Sequence, residues 1–261
     1  MQPKIDTSVA HVARVYDYWL GGKDNFAADR EAGDQVLEIY PDMVHSARAN
    51  RAFLARAVRF LAGEAGIRQF LDIGTGIPTA DNTHEVAQLV APTSRIVYVD
   101  NDPMVLAHAR ALLASDPAGA TAYVDADLRD PLRIVAEAAR LLDFGQPVAV
   151  MLVAILHCIP DEDDPYRIVA RLMSAVPPGS YLVISHAPGE MRPNVGAEMI
   201  RRLAKVLAQK VVLRERDEVE RFFDGLELLE PGVVPITKWR PATEAEAAAP
   251  AAMWAAVARK P

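Results

Sequence analysis

From residue 67 onward, short apolar runs alternate with helical patterns, and this alternation constrains the fold more than any other feature of the chain. The runs are Ile67–Ile73, Ile96–Val99, Thr121–Val124, Val148–Ile155 and Tyr181–Ser185. Between them the spacing predicts helices near 83–90, 103–113, 131–142 and 165–176. A strand that is apolar on both faces must be buried on both faces, and a helix after each strand carries the chain back to start the next in the same direction. The expected class is therefore α/β, a mostly parallel sheet sandwiched between helices. Two of the helices open on Asp130-Pro131 and Asp164-Pro165. In each the carboxylate can cap the first turn, and proline suits the first helical position because its missing N–H would be unpaired there anyway.

Both ends depart from this rhythm. Val12, Val15, Tyr16, Trp19 and Leu20 recur at helical spacing and stop at Gly21-Gly22. A second helix is expected from Asp24 to before Tyr40-Pro41. A third runs from about Asp42 to Gly63, with Phe53, Leu54, Ala57, Val58 and Leu61 on one side. Residues 1–65 thus read as a helical N-terminal extension and 66–261 as the sheet domain. Near the C-terminus a charged helix at Asp217–Phe223 precedes runs at Leu226–Leu229, Val233–Trp239 and Met253–Val257. Two late strands without a helix between them predict an antiparallel hairpin at the sheet edge, making seven strands in all. The Glu244–Ala252 stretch reads as a surface loop.

Composition narrows the function classes. With 51% hydrophobic and 24% charged residues, the 261-residue chain has the balance of a globular protein with a large core. The single cysteine, Cys158, rules out an internal disulfide and any cysteine-based metal site; no metal is expected. The formal charge is −7, without a basic tract, so no nucleic-acid partner is expected. No run approaches the roughly 20 apolar residues of a membrane span and no signal peptide opens the chain, so the expected location is the cytoplasm.

Chemistry-bearing residues cluster where strands end. The first strand leads into Asp72-Ile73-Gly74-Thr75-Gly76-Ile77-Pro78-Thr79. Paired glycines let the backbone turn tightly and approach a ligand. A dinucleotide binder would want glycine at Thr79, and Asp72 would repel a pyrophosphate while suiting a ligand with an ammonium and a sulfonium. An ordinary turn with a capping acid is the plain alternative, and an NAD-dependent oxidoreductase is disfavoured. Asp100, followed by Asn101, can accept both hydroxyls of a ribose, one on each oxygen. Asp102, before Pro103, is expected to cap the next helix. After the third strand, Asp127 (in preference to Asp125) can accept from an adenine amino group, and Leu128 can pack on the ring.

In order, Asp72-Ile73-Gly74-Thr75-Gly76, Asp100 and Ala126-Asp127-Leu128 resemble the class I S-adenosylmethionine-dependent methyltransferases. Pro78 stands where that family often carries a third glycine. The segment Ala13–Arg30, with Tyr16, Gly22 and Asn25, resembles the opening motif of an actinobacterial family of uncharacterised methyltransferases, as does Leu156–Pro165. The resemblance implies a Rossmann-like fold, S-adenosylmethionine as cofactor and a small-molecule methyl acceptor that it does not identify. It leaves open a cofactor-binding protein without activity, such as a sensor or partner subunit.

The opening motif concentrates aromatics and polar groups around a Gly21-Gly22 turn. It reads as a lid over the cofactor, because aromatic faces attract a sulfonium, with Tyr16, Gly22 and Asn25 as contacts. The competing reading is a helix that simply buries Tyr16 and Trp19. His157, after the fourth strand, is the candidate base should the acceptor have to lose a proton; His186 is a second candidate. Cys158, among apolar neighbours, is a poor nucleophile.

Overall fold

In the computed structural model, which describes residues 6–105, 107, 117–189, 195–207 and 209–261, the five apolar runs form five parallel strands. These are β1 (Gln69–Ile73), β2 (Arg95–Asp100), β3 (Ala120–Asp125), β4 (Ala149–Val153) and β5 (Tyr181–His186). Side chains alternate between two cores. Leu71, Val97, Val150, Leu182 and Ala256 face one helical layer, while Phe70, Ile96, Met151, Val183 and Val257 face the other. Burial on both faces is why each run is continuously apolar.

Three N-terminal helices are present: α1 (Val12–Trp19), α2 (Ala27–Ile39) and α3 (Met43–Gly63). The last is an integral sheet cover, since Phe53, Leu54, Val58 and Leu61 sit in the same core as β1, β2 and β4. Of these three, α1 and α2 stand outside the sandwich. The second helix starts at Ala27 and not at Asp24, because the Asp17 carboxylate takes the Asp24 N–H at 3.0 Å and holds that stretch in a turn. Beyond β1 follow α4 (Thr83–Val90), α5 (Pro131–Ala138) and α6 (Pro165–Ser174). Asp130 and Asp164 accept the Arg133 and Arg167 N–H groups, so both Asp-Pro starts cap helices as expected. The helix expected at 103–113 lies, apart from 103–105 and 107, outside the described residues.

After β5 come α7 (Val195–Val206) and α8 (Arg216–Glu220), then β6 (Glu227–Leu228), β7 (Val234–Pro235), α9 (Glu244–Ala248) and β8 (Trp254–Arg259). The sheet order is β3-β2-β1-β4-β5-β8-β6, with β7 also on β8. The antiparallel end differs in detail from a simple hairpin. β6 and β7 do not pair with each other; they lie end to end along β8, as Glu227↔Arg259 and Val234↔Ala255. A tight turn, closed by Gly232 N–H on the Leu229 carbonyl at 2.8 Å, pushes residues 230–233 out of line and returns the chain to the same partner. Counting them as one interrupted edge strand gives the seven positions. Part of the Glu244–Ala252 stretch is helical, since the Thr243 hydroxyl caps Glu246 N–H and starts α9.

Strand order reverses between β1 and β4. In open α/β sheets the crevice for a ligand forms at the carboxyl ends of the strands beside such a reversal. Among the described residues no helix is long and apolar enough to cross a membrane.

Candidate functional site

A cleft of about 1330 Å³, counting its solvent-open mouth, lies at that position. Tyr16, Asp72, Gly74, Thr75, Gly76, Asp100, Asn101 and His157 line it. Asp127 and Leu128 line a smaller recess that shares Gly74, Asp100 and Asn101 with the cleft. Gly22 and Asn25 line neither.

The β1 turn is shaped by its glycines. Gly74 and Gly76 have φ of 76° and 68°, and a Cβ on Gly74 would stand 2.5 Å from Ile155. Left-handed backbone is costly for other residues, so the pair brings amide groups to the cleft wall. Gly76 N–H donates to Asp100 Oδ2 at 2.9 Å, while Asp102 N–H donates to Oδ1 at 2.9 Å. Asp100 therefore braces the loop it faces, and each oxygen retains a lone pair for a further donor. Asp72 accepts the Thr83 hydroxyl at 2.6 Å. Burial pushes the Asp72 carboxyl up to about 6; the Thr83 hydrogen bond and Arg51 oppose this, and nearby Asp100 adds to it. Asp100 is likewise raised, chiefly by burial. Two acids, one buried and one half-buried, thus share a wall on which Arg51 is the counter-charge among the described lining residues.

Asp102 has a different task. Its Oδ1 accepts the Met104 N–H at 2.8 Å, the expected cap, and its Oδ2 lies 2.8 Å from His11 Nδ1. His11 is the N-cap of α1, so this contact ties the N-terminal helix to the end of β2. Burial works against the ionised Asp102, but the His11 hydrogen bond and charge outweigh it and hold the carboxyl below its ordinary value.

Most polar groups of the N-terminal motif satisfy one another. Buried Arg14 donates from Nε to both Asp29 oxygens, at 3.1 and 3.0 Å. Asp29 also accepts the N–H groups of His11 and Phe26. Asp17 accepts from Asn25 Nδ2 at 2.8 Å, and a Cβ on Gly22 would collide with the Asp17 carboxylate. Gly22 and Asn25 thus build the turn between α1 and α2. What α1 presents to the cleft is Val12, Ala13, Val15, Tyr16 and Trp19. Tyr16 donates to the Ala47 carbonyl at 3.0 Å and accepts from Asn50 Nδ2 at 2.9 Å. Asn50 Oδ1 in turn accepts from Ser185, which accepts the Ala154 N–H. This chain of bonds runs from α1 through α3 to the ends of β5 and β4.

His157 sits in a 3₁₀ turn, Leu156–Cys158, immediately after β4. Its Nδ1 is buried without a partner among the described residues. Burial, assisted by Arg214, lowers its pKa to about 4, so the imidazole is neutral at pH 7. His186 is committed elsewhere: Nδ1 faces the Ala187 carbonyl at 2.8 Å and Nε2 faces Arg214 at 3.0 Å. Burial pushes the Cys158 thiol up to about 12, which leaves it unreactive. Among the described residues no group of three or more His, Cys, Asp or Glu could hold a metal ion.

Several contributors carry no local sequence signal. Arg51, from α3, lines the cleft and donates to the Ala80 and Asp81 carbonyls. Arg129 crosses the recess from Asp127 to Asp163, with Nε 2.6 Å from the latter. Arg214, 1% exposed, holds the Leu156 and Ile159 carbonyls and Asp161 and so fixes the loop that carries His157.

Against this geometry, comparison with known proteins is consistent. A model of the family described as S-adenosyl methyltransferase matches residues 1–261. A DUF574-family protein from Streptomyces avermitilis is similar at 51% identity and TM-score 0.95, over 99% of this chain and 100% of that one. A candidate methyltransferase from Thermobifida fusca is similar at 44% identity and TM-score 0.88, over 98% and 96%. At 13% identity, an S-adenosylmethionine-dependent methyltransferase from Anabaena variabilis shares the fold with TM-score 0.52, over 100% and 98%. No curated protein matches the chain.

Proposed function

The chain belongs to the S-adenosyl methyltransferase family, and on that premise we propose that it transfers a methyl group from S-adenosylmethionine to a small-molecule acceptor. The observation that carries this reading is the pair of carboxylates, buried Asp72 and half-buried Asp100, flanking the Gly74-Thr75-Gly76 turn at the switch in strand order. A dinucleotide pyrophosphate would meet two acids against the single guanidinium of Arg51 on the described cleft wall. A ligand bearing an ammonium and two ribose hydroxyls supplies what each of them lacks, so the residues present fit the donor.

Asp72 faces the ammonium, Asp100 the ribose hydroxyls, and the Asp127–Leu128 recess the adenine. Tyr16, fixed to α3, walls the donor side, and Gly22 and Asn25 act indirectly by shaping the turn that holds α1 in place. When bound, the donor supplies a methyl carbon on a sulfonium, so the acceptor lone pair forms the new bond as the S–C electron pair returns to sulfur. The chain's own task is alignment of the two partners, for which a tightly held geometry is worth several kcal/mol, together with uptake of the acceptor's proton. Neutral His157, which lines the cleft with Nδ1 unpartnered among the described residues, is the group we assign to take it.

S-Adenosylhomocysteine at about 100 times its dissociation constant is expected to stabilise the protein by roughly 2.7 kcal/mol, read as a clear rise in melting temperature. NAD at the same concentration is expected to leave the melting curve unmoved. A rise with NAD, or none with either ligand, overturns the reading.

A further inference from the structure

Away from the carboxylates the cleft continues into an apolar chamber between α1, α7 and residues 209–213. Trp19, Met43, Met199, Leu203, Leu207 and Leu213 line it. None of the described residues that α7 and 209–213 contribute to the cleft is ionisable. The charges of α7 are sorted to its outer side, where Glu198 pairs with Arg201 and Arg202, and Arg202 reaches Glu38 of α2. At the junction of chamber and donor end sit two buried polar atoms with no partner among the described residues, His157 Nδ1 and Gln209 Oε1. The segments carrying them are stitched together, since Val212 N–H donates to the His157 carbonyl at 2.7 Å.

Unpaired buried acceptors are costly and rare in folded proteins, so a ligand donor is the partner this junction lacks. A charged ligand would find no counter-charge in the chamber and would lose its hydration on entry. Indole and thioether surfaces are polarisable and favour contact with an aromatic ring; methionine in addition adapts its shape to more than one ring. Building on the methyltransferase reading above, we propose that the acceptor is an uncharged aromatic small molecule with a hydroxyl or N–H donor. Its ring lies against Trp19, Met43 and Met199, and its donor group lies at the junction of His157 and Gln209, giving its proton to one of the two acceptors.

The test is calorimetry on the full chain loaded with S-adenosylhomocysteine, with 2-naphthol and 2-naphthalenesulfonate as probes. Naphthol is expected to bind at least about tenfold more tightly than the sulfonate, because only the neutral ring enters without losing a charge's hydration. Val211→Glu places a charge on the half-buried chamber wall. It is expected to weaken naphthol by at least about tenfold while S-adenosylhomocysteine still binds. Should that variant fail to melt cooperatively, Leu213→Gln takes its place with the same expected direction. If S-adenosylhomocysteine binds but naphthol does not, or the sulfonate binds equally well, the acceptor assignment is overturned and the donor reading stands. If S-adenosylhomocysteine itself fails to bind, the donor reading falls and takes the acceptor assignment with it.

Discussion

Arg14→Met is expected to cost about 3–5 kcal/mol of stability, the penalty for leaving a buried carboxylate without its partner. Asp29 is 0% exposed, and its two oxygens are organised around the Arg14 guanidinium. The same guanidinium donates to the Val9 carbonyl at 2.6 Å and lies over the Phe26 ring. Removing it frees α1 from α2, and α1 contributes Tyr16 and Trp19 to the cleft. Affinity for S-adenosylhomocysteine should therefore fall together with the denaturation midpoint. Adding Asp29→Asn to the variant should recover part of the loss, because the uncompensated charge is then gone. A stability change below about 1 kcal/mol, the range of exposed ion pairs, would contradict the account.

Asp72→Asn should have the opposite effect on stability. The carboxyl titrates at about 6 against an ordinary value of 3.8, chiefly because it is buried. At 1.36 kcal/mol per pH unit, that rise means the ionised group burdens the folded protein by roughly 3 kcal/mol at neutral pH. For an acid whose folded pKa is raised, stability increases as pH falls through 6 towards 4 and decreases on the way back up. Asparagine keeps an oxygen for the Thr83 hydroxyl and removes the charge. The ligand-free variant should therefore be more stable at pH 7.5 by about 2–3 kcal/mol and lack this part of the wild type's pH dependence. Binding should move the other way. Losing a charged partner for the ligand ammonium costs about 1.5–3 kcal/mol, on the order of 10- to 150-fold in affinity. In the wild type the ammonium favours ionised Asp72, so affinity should fall below pH 6 as a proton has to be expelled; in the variant it should be nearly flat there. Denaturation and calorimetry between pH 5 and 8 check both arms. A variant that is less stable and binds as tightly as wild type would remove Asp72 from the site.

A gain in stability from a site substitution has a physical origin that also governs which features the sequence discloses. The runs that became β1–β5 are readable because continuous apolarity is the direct consequence of burial on two faces. The Asp-Pro helix starts are readable because a cap is local chemistry. The antiparallel end was legible only as a direction. Which strand pairs with which depends on contacts such as Glu227↔Arg259, and no local pattern encodes a partner that distant. The same limit applies within the site. Asp72, Asp100 and the glycine turn stand out because each lies at or just past the carboxyl end of a strand, whereas Arg51 and Arg214 come from elements far away in sequence. The polar wealth of the N-terminal motif suggests ligand contacts for Gly22 and Asn25, yet most of it is spent on Arg14, Asp17 and Asp29 satisfying one another. A sequence displays its charges without displaying which are already paired.

The central claim is that the donor lies at the carboxyl ends of β1 and β2 under a wall formed by α1. Amide hydrogen exchange with and without S-adenosylhomocysteine tests it most directly. The account predicts slowed exchange in two separate stretches, 11–19 and 72–79, because His11 ties α1 to Asp102, just past the β2 end that carries Asp100, and Tyr16 lines the same cleft as Asp72 while bonded to α3. Protection confined to 72–79 would show that α1 is a structural cover without a role in binding, and protection in neither stretch would place the ligand elsewhere.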